Sequence, residues 1–467
     1  MSKTQPKTPP ARPTLSWTRS LRDDAQAIFQ ASVDAVRAER LIGETVSIDR
    51  QHLKIGKFVV DLRKFQRLIV IGGGKASGYM AKALLDVLGP EITRTKSVTG
   101  WINVPEGGDL GSLEGVTLFP ARPAGENLPT QNVVIGTQHI CEMVASMRKG
   151  DLAICLISGG GSALLAQPVP GVSLEDKRRV SQLLSQRRAD IAQLNRVRRQ
   201  LSMVKGGRLA ALRTGGRLIA LMISDVLGDP MDLIASGPTV ASPDDPQSAL
   251  DVFRELEIPD DEIPPSVLQH LQQAIAHPTT GQPESLADVQ NVIIGNLAVA
   301  VQSAARCAQQ LGYEVQSSLQ TDRRESVGAT ALWLAQKLRE APDRLQCLIY
   351  GGEPVIDVGQ HPGRGGRNQH LVLQTLDLIL KQSESDSGGL RTFCVLSGGT
   401  DGEDGNTSKA GAWCDSLLAN EVKQQGVNPA HYLDAYNAFD FFARLGGHID
   451  IGPTHTNVGD VRILLTH

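Results

Sequence analysis

The sequence predicts an α/β fold in which helices cover a parallel β-sheet, and two observations support this prediction. Short apolar runs alternate with amphipathic segments along most of the chain, which is the pattern of βαβ units. Glycine accounts for 47 of the 467 residues, whereas aromatic residues make up only 4%. Because glycine permits tight turns between strands and helices, this composition favours an α/β enzyme. It disfavours a protein that stacks nucleic-acid bases on aromatic side chains.

Composition and charge exclude several other classes of protein. The chain has 47 basic and 50 acidic residues, and its net charge of −3 argues against a surface that binds polyanions. No apolar run reaches the roughly 18 residues of a membrane span, and the N-terminal residues lack the apolar core of a secretory signal. The cysteines are scattered singly, as inert core thiols are. We therefore expect a cytoplasmic monomer or homodimer that binds neither nucleic acid nor a membrane.

The first half of the chain shows the predicted alternation most clearly. Residues 1–20 contain several prolines and predict a disordered tail. The spacing of apolar residues predicts the elements that follow. These are helices over residues 23–40, 75–88 and 131–147 and strands over residues 65–71, 97–104, 152–157 and 218–223.

Prolines and acidic residues interrupt the chain between residues 239 and 290, where two short amphipathic segments predict a connector with some helix of its own. A new strand over 289–294, a helix over 297–310 and strands over 345–350 and 392–396 predict a second α/β unit. We therefore expect an N-terminal domain over 21–285, which includes the connector at 239–285, a C-terminal domain over 286–467, and a cleft between them.

Four glycine-rich loops follow apolar strands and mark the candidate ligand sites. They are residues 72–75 (GGGK), 158–162 (SGGGS), 351–353 (GGE) and 397–402 (SGGTDG). Ligands of open α/β sheets bind where such loops emerge, and glycine lets backbone N–H groups approach an anion. We therefore expect a phosphate or carboxylate ligand. The first loop is not a Walker A motif, because Ala76 follows Lys75, and a dinucleotide site is disfavoured but left open.

Several basic residues are candidates for binding that anion. Lys75 would oppose the dipole of the following helix unless an anion lies there, so we interpret it as a phosphate clamp. Residues 177–217 contain twelve basic residues and one acid, and most of them are expected on a solvated helix face. Arg198 and Lys205 are the ones expected to turn inward. Arg364 and Arg367 lie on a glycine turn before a predicted helix over 370–380, which suits bidentate recognition of phosphate.

Acidic residues follow two of the predicted strands. Asp225 comes directly after the strand at 218–223, and Asp401 and Asp404 lie in the loop at 400–406. A carboxylate at a strand end can hold Mg²⁺ or accept the proton of an attacking hydroxyl. The structural alternative is a turn or a helix N-cap.

Eight segments together resemble one family. IGGGKAS (71–77), LISGGGSALL (156–165), LNRVRRQLSMVKGGRLA (194–210) and ISDVLGDPMDLIASGPT (223–239) are similar to the N-terminal domain of class II glycerate kinases. GGEPVI (351–356), GRGGRNQ (363–369), SGGTDGEDGNT (397–407) and THTNVGDV (454–461) resemble their C-terminal MOFRL domain. The resemblance implies a Rossmann-like parallel-sheet domain and a smaller α/β domain that enclose the cleft. It also implies phosphorylation of D-glycerate to 2-phosphoglycerate by ATP, with Mg²⁺ or Mn²⁺.

The chain departs from the family pattern before the helix at 131. Many members carry a G-H-P-x-P-D segment there, whereas residues 121–130 read ARPAGENLPT. Arg199 and Gln200 stand where Lys-His is commoner. These departures bear on the choice of acceptor more than on kinase chemistry.

The resemblance assigns roles to the candidate residues. The acceptor would be held by the 158–162 loop and one arginine: Ser158, Gly159, Gly160, Gly161, Ser162 and Arg198. The nucleotide phosphates would be held by Gly73, Gly74, Lys205, Glu353, Arg364, Arg367 and Asn368. The catalytic residues would be Lys75, Asp225, Asp401 and Asp404, with Asp225 and Asp401 as metal ligands. The alternatives are an NAD(P)-dependent hydroxypyruvate reductase, a kinase of a related hydroxy acid, and a non-catalytic nucleotide-binding protein.

Overall fold

The structure is a computed structural model of the chain. It describes residues 20–107, 110–125, 128–277, 286–320, 322, 325–358, 363–385 and 391–467. The predicted tail at 1–20 lies outside the described residues except for Ser20, whose hydroxyl accepts a hydrogen bond from the Asp23 N–H and caps the first helix.

The strands and helices of the described residues follow in chain order. The strands are β1 (Val46–Asp49), β2 (His52–Ile55), β3 (Phe58–Asp61), β4 (Arg67–Gly73), β5 (Thr99–Pro105), β6 (Val116–Arg122), β7 (Asp151–Ile157), β8 (Arg217–Ile223), β9 (Val289–Gly295), β10 (Glu314–Leu319), β11 (Gln346–Gly352), β12 (Phe393–Gly399), β13 (Gly411–Asp415), β14 (His448–Ile449) and β15 (Asp460–Thr466). The helices are α1 (Leu21–Ala35), α2 (Ala38–Thr45), α3 (Ser77–Thr95), α4 (Gln131–Ala145), α5 (Gly161–Leu164), α6 (Leu174–Gln186), α7 (Ile191–Gln200), α8 (Arg208–Ala211), α9 (Pro246–Glu255), α10 (Pro265–Ala276), α11 (Leu297–Gln310), α12 (Val327–Glu340), α13 (Arg367–Ser385), α14 (Ser416–Gln425), α15 (Pro429–Asp434) and α16 (Ala438–Leu445).

A six-stranded parallel sheet forms the centre of the first unit. Its order is β6-β5-β4-β7-β8-β9, and every neighbouring pair is parallel. Strand β7 is buried along its whole length, as expected of a central strand covered on both faces. Because these strands run in one direction, the loops after β4, β7 and β8 emerge at the same edge. The predicted α/β class with a parallel sheet is confirmed.

A second six-stranded sheet is mixed. Its order is β10-β11-β15-β12-β13-β14, with β15 antiparallel to both β11 and β12. Gly352 at the end of β11 and Gly399 at the end of β12 both pair with Asp460, the first residue of β15. The loops after β11 and β12 therefore emerge on either side of Asp460. Strands β1 to β3 form a separate small antiparallel sheet.

The two sheets do not divide the chain at residue 286. Strand β9 was expected to open the second unit, but it pairs in parallel with β8 at the edge of the first sheet. The connector contains α9 and α10, and both belong to a hydrophobic cluster with α6 and α7. Because these helices pack onto the first unit, the chain adds β9 to the first sheet before it enters the second unit.

The N-terminal helix also lies away from its neighbours in sequence. Helix α1 packs against α11 and against β12 and β15 of the second sheet. The Ser303 hydroxyl donates to the Ala31 carbonyl, and the Tyr313 hydroxyl donates to Asp24. The helix predicted over 23–40 ends at Ala35, and α2 begins at Ala38.

None of the described helices combines the length and apolar character needed to cross a bilayer.

Candidate active site

The 72–75 and 158–162 loops are in direct contact at the edge of the first sheet. A Cβ added to Gly72 would lie 2.0 Å from the Leu156 carbonyl oxygen, and one added to Gly74 would lie 2.2 Å from Ser158 Oγ. The backbone N–H of Lys75 donates to the Gly159 carbonyl over 2.9 Å. Glycine is therefore needed for this close approach, which fixes Lys75 beside the second loop. Lys75 precedes α3 rather than lying in its first turn.

The side chain of Lys75 joins the two units of the molecule. Its Nζ lies 3.4 Å from Asp401 Oδ2 and 3.9 Å from Glu403 Oε2. Asp401 and Glu403 belong to the loop after β12 of the second sheet. The Lys75 side chain is 31% exposed, so an anionic ligand could reach it. The structure thus brings together two residues that sequence analysis predicted to be catalytic.

Asp225 lies beside the same cluster. It follows β8, and a Cβ added to Gly159 would lie 2.6 Å from Asp225 Oδ2 and 3.5 Å from the Cβ of Asn457. Burial raises the pKa of Asp225; the charge of Lys75 opposes this shift and that of Asp401 adds to it. Lys75 and Asp401 therefore lie close enough to Asp225 to influence its ionisation.

Arg367 is held by two carboxylates in the second unit. Its guanidinium donates to Asp460 over 2.5 and 3.0 Å and to Glu353 over 3.0 Å. Burial raises the pKa of Glu353 to about 7, and the charge of Arg367 opposes that shift. This arrangement fixes the guanidinium in one orientation through its Nε and Nη2 atoms.

Two cavities meet at the Lys75–Asp401 pair. The larger has a volume of about 570 Å³, and its lining includes Lys75, Glu353, Arg367, Asp401, Asn406 and Asn457. The smaller measures about 210 Å³, and its lining includes Lys75, Tyr79, Arg122, Asp401 and His455. Lys75, Asp401 and Glu403 line both. The charged cluster therefore lies where a ligand in one cavity would meet a ligand in the other.

Asp404 is engaged in capping a helix, which is the structural alternative for this residue. Its carboxylate accepts hydrogen bonds from the backbone N–H groups of Asn368 and Gln369 over 3.0 and 2.8 Å. The side-chain amides of Asn368 and Gln369 also donate to it, and Asp404 is buried. Asn368 in turn accepts from the Ser397 hydroxyl. Both residues therefore support the start of α13.

Replacing Asp404 with alanine should lower the free energy of unfolding by about 2–3 kcal/mol, because buried donors at the start of α13 would lose a charged acceptor. Urea unfolding followed by circular dichroism measures this loss. Asp86→Ala serves as the control, since Asp86 is 66% exposed on α3. Equal stability of the two variants would contradict the capping role.

The two serines of the 158–162 loop are likewise engaged within the protein. Ser158 Oγ accepts from the Ala76 N–H over 2.9 Å, and the residue is buried. Ser162 Oγ lies 3.0 Å from Ser236 Oγ. Gly161 donates its N–H to the Ser158 carbonyl. Gly160 is nearer to the charged cluster, since a Cβ added to it would lie 3.4 Å from Lys75 Cγ.

Three residues that were predicted to bind nucleotide or phosphate contact other protein groups instead: Lys205, Arg364 and Gly73. Lys205 donates to the Ser162 carbonyl over 3.0 Å and lines a separate pocket behind the 158–162 loop. The Arg364 guanidinium stacks on the Phe439 ring at 3.9 Å, and its side chain is 60% exposed. This cation–π contact turns Arg364 away from the cleft. Gly73 ends β4 and packs against Leu165, where an added Cβ would clash at 2.9 Å.

Three further polar residues near the cleft were not predicted from the sequence: Arg122, Asn457 and Asp460. Arg122 is buried at the end of β6, and a Cβ added to Gly160 would lie 3.3 Å from its guanidinium. Arg122 belongs to the segment 121–130 that departs from the family pattern, and this departure could have marked it as a candidate site residue. The other two lie in the 454–461 motif, where only the fold shows which polar side chains face the cleft.

Asp225 and Asp401 could hold a divalent cation only if a substrate supplied further ligands to it. No cluster of three or more His, Cys, Asp or Glu side chains able to hold a metal occurs among the described residues. Mg²⁺ is commonly bound by one or two carboxylates together with substrate phosphates. The donors present match that mode rather than a complete protein cage.

Comparisons with known proteins show which proteins the chain resembles. Residues 24–272 match the family described as "Domain of unknown function (DUF4147)", and residues 346–460 match the MOFRL family. The chain is 33% identical to a glycerate kinase of Rattus norvegicus over 96% of this chain and 94% of that protein. It is 32% identical to a D-glycerate 2-kinase of Thermotoga maritima over 95% and 98% of the two chains. A crystal structure of a glycerate kinase from Thermotoga maritima superposes with a TM-score of 0.79 at 30% identity, covering 96% of this chain and 99% of that chain.

Proposed function

This chain belongs to the glycerate kinase family, and we propose that it transfers the terminal phosphoryl group of ATP to the C2 hydroxyl of D-glycerate in the cleft between its two sheets. The observation that carries the proposal is the Lys75–Asp401 pair at 3.4 Å, which joins a loop of the first sheet to a loop of the second. A kinase needs such a meeting point, because catalysis of phosphoryl transfer consists mainly of positioning and charge stabilisation.

The nucleotide belongs in the larger cavity. Its volume of about 570 Å³ is in the range of small-molecule sites. Arg367 lines it, and because Asp460 and Glu353 engage its Nε and Nη2 atoms, Nη1 is the group that would donate to a phosphate oxygen. Lys75 at the edge of this cavity would neutralise charge on the phosphoryl group during transfer.

The acceptor belongs beside the 158–162 loop. Gly160 lies against the Lys75 stem, and the Asp225 carboxylate lies over Gly159. We assign Asp225 as the general base that accepts the proton of the acceptor hydroxyl. Burial raises the pKa of this carboxyl and so makes it a better base. Asp401 would hold Mg²⁺ or Mn²⁺. The cation, when bound, would neutralise charge on the nucleotide phosphates.

The Asp401→Asn variant should bind the cation more weakly, because it loses a charged ligand. We expect its low turnover to recover in part when Mg²⁺ is raised or replaced by Mn²⁺. Turnover measured across a metal titration checks this. Glu403→Gln is the control, since Glu403 also contacts Lys75 but its side chain is 54% exposed. A metal dependence like that of wild type in Asp401→Asn would remove Asp401 from the cation site.

An assay of ADP release separates the kinase from the alternative functions. The proposed enzyme releases ADP from ATP only when D-glycerate is present. Oxidation of NADH by hydroxypyruvate without ATP would instead identify a reductase. No nucleotide turnover with any small hydroxy acid would leave only a non-catalytic binding protein.

We also place the enzyme in the cytoplasm. Cys155, Cys394 and Cys414 are buried free thiols, as expected of a protein from a reducing compartment. Its partners in this proposal are its small-molecule substrates.

A further inference from the structure

A third pocket lies behind the 158–162 loop and has a basic lining. It measures about 200 Å³, and its lining includes Gly160, Ser162, Lys177, Ser181, Arg198 and Lys205. Among the described residues that line it, none is acidic. Gly160 also lies against the stem of Lys75, so the pocket adjoins the proposed site of transfer.

Lys177 is placed on the apolar face of its helix. It shares that face of α6 with Val180 and Leu184, which belong to a hydrophobic cluster. Lys177 is 5% exposed, and its Nζ has no hydrogen-bond partner within the described residues. Burial of an ammonium group without a partner is costly, and an anion bound in the pocket would offset that cost. Of the twelve basic residues of 177–217, only Arg179, Arg187 and Arg188 are exposed, which corrects the expectation that most of them lie on a solvated face.

Two further cations of the pocket, Lys205 and Arg198, also lack carboxylate partners, whereas Arg178 in the same lining lies 3.9 Å from Glu175. Lys205 donates to the carbonyls of Ser162 and Ala235 and to the Ser236 hydroxyl, and Arg198 donates to the Ser181 hydroxyl. Within the described residues, neither lies within ion-pair distance of an acid.

The neighbouring Arg199 is different, because it pairs with Asp232 at 2.8 Å and Asp244 at 2.6 Å. Burial lowers the pKa of Lys177 to about 7, and the charges of Arg198 and Arg208 add to that shift. The fold therefore neutralises one arginine and leaves a cluster of cations beside it without counter-charge.

We infer that Lys177, Arg198 and Lys205 form the binding pocket for the carboxylate of the acceptor, an inference that rests on the proposed function. The anion would supply the counter-charge that the pocket lacks. Gly160 borders both this pocket and the stem of Lys75, so a carboxylate held at the Gly160 end of the pocket would keep the adjacent hydroxyl near Lys75. The pocket thereby selects acceptors that carry a carboxylate next to the phosphorylated hydroxyl.

Lys177→Met tests the pocket without relying on turnover. Methionine keeps the length and apolar character of the side chain and removes its charge, so unfolding without ligand should occur at a higher temperature than in wild type. D-glycerate alone should raise the unfolding temperature of wild type but not of the variant. By calorimetry, the affinity for D-glycerate should fall by about ten- to a hundredfold, with ATP binding unchanged. Arg198→Gln provides a second variant in the same pocket.

Lys82→Met is the matched control, because Lys82 is 45% exposed on α3 and pairs with Asp86. It should bind D-glycerate like wild type. Equal affinity of Lys177→Met and wild type for D-glycerate would overturn the inference, even if the enzyme is an active kinase. Lys177-dependent binding of inorganic phosphate but not of D-glycerate would also overturn it. Failure of the wild-type enzyme to phosphorylate D-glycerate that it binds through Lys177 would instead count against the proposed function alone.

Discussion

Replacing Lys75 with alanine should reduce the turnover number about a hundredfold while the protein stays folded. The loss corresponds to about 3 kcal/mol of transition-state stabilisation, the usual cost of removing one charged or hydrogen-bonding contact to the reacting group. Lys75 is the cation that faces Asp401 across the cleft, and its partly exposed side chain contributes little to the core. Steady-state kinetics with ATP and D-glycerate measure the effect, and circular dichroism measures folding.

Lys82→Ala provides the comparison for Lys75→Ala. Both lysines belong to the β4–α3 segment, but the Lys82 side chain pairs with Asp86 on the helix surface. We expect the Lys82 variant to turn over like wild type. If Lys75→Ala also turns over like wild type, Lys75 is only a surface lysine and does not bind the transferred phosphoryl group.

Replacing Asp225 with asparagine should reduce turnover by about a hundred- to ten-thousandfold, the range of a general base. Asparagine fills the same space over Gly159 but cannot accept the proton of the hydroxyl. Because burial raises the pKa of Asp225, the wild-type rate should fall on the acid side as the carboxylate becomes protonated. The small residual rate of the variant should lack that acid limb. Rates measured across pH at saturating substrate test both statements.

Asp229→Asn is the control for Asp225→Asn, since Asp229 lies in the same loop and accepts a hydrogen bond from Asn296. It should keep the acid limb and most of the turnover. An Asp225→Asn enzyme with normal turnover and an unchanged pH profile would show that another group takes the proton. Recovery of this variant by Mn²⁺ would indicate that Asp225 is a metal ligand instead.

The sequence predicted the parts of the site that depend on local pattern. Apolar strands followed by glycine loops located the loops of Lys75, Asp225 and Asp401, and the shared direction of parallel strands brings such loops to one edge. The contact of Lys75 with Asp401 links residues 326 positions apart, and the family resemblance rather than any local pattern suggested that they share a cleft.

The remaining differences come from long-range packing. Strand β9 joins the first sheet because the connector helices pack on α6 and α7, which no local spacing reveals. Asp404 caps a helix that begins 37 residues earlier in the chain, so it carries no N-cap pattern. Lys177 stands in a basic segment, and only the packing of α6 shows that its amine is buried.

Phosphorus NMR of the product made from ATP and D-glycerate shows which hydroxyl of the acceptor is phosphorylated. We expect a new phosphomonoester signal that is split into a doublet by the single proton on C2, as in 2-phosphoglycerate. A triplet would place the phosphoryl group on the C3 hydroxyl and contradict the proposed acceptor geometry. If no phosphomonoester forms while ATP remains intact, the assignment of this cleft to glycerate phosphorylation is wrong.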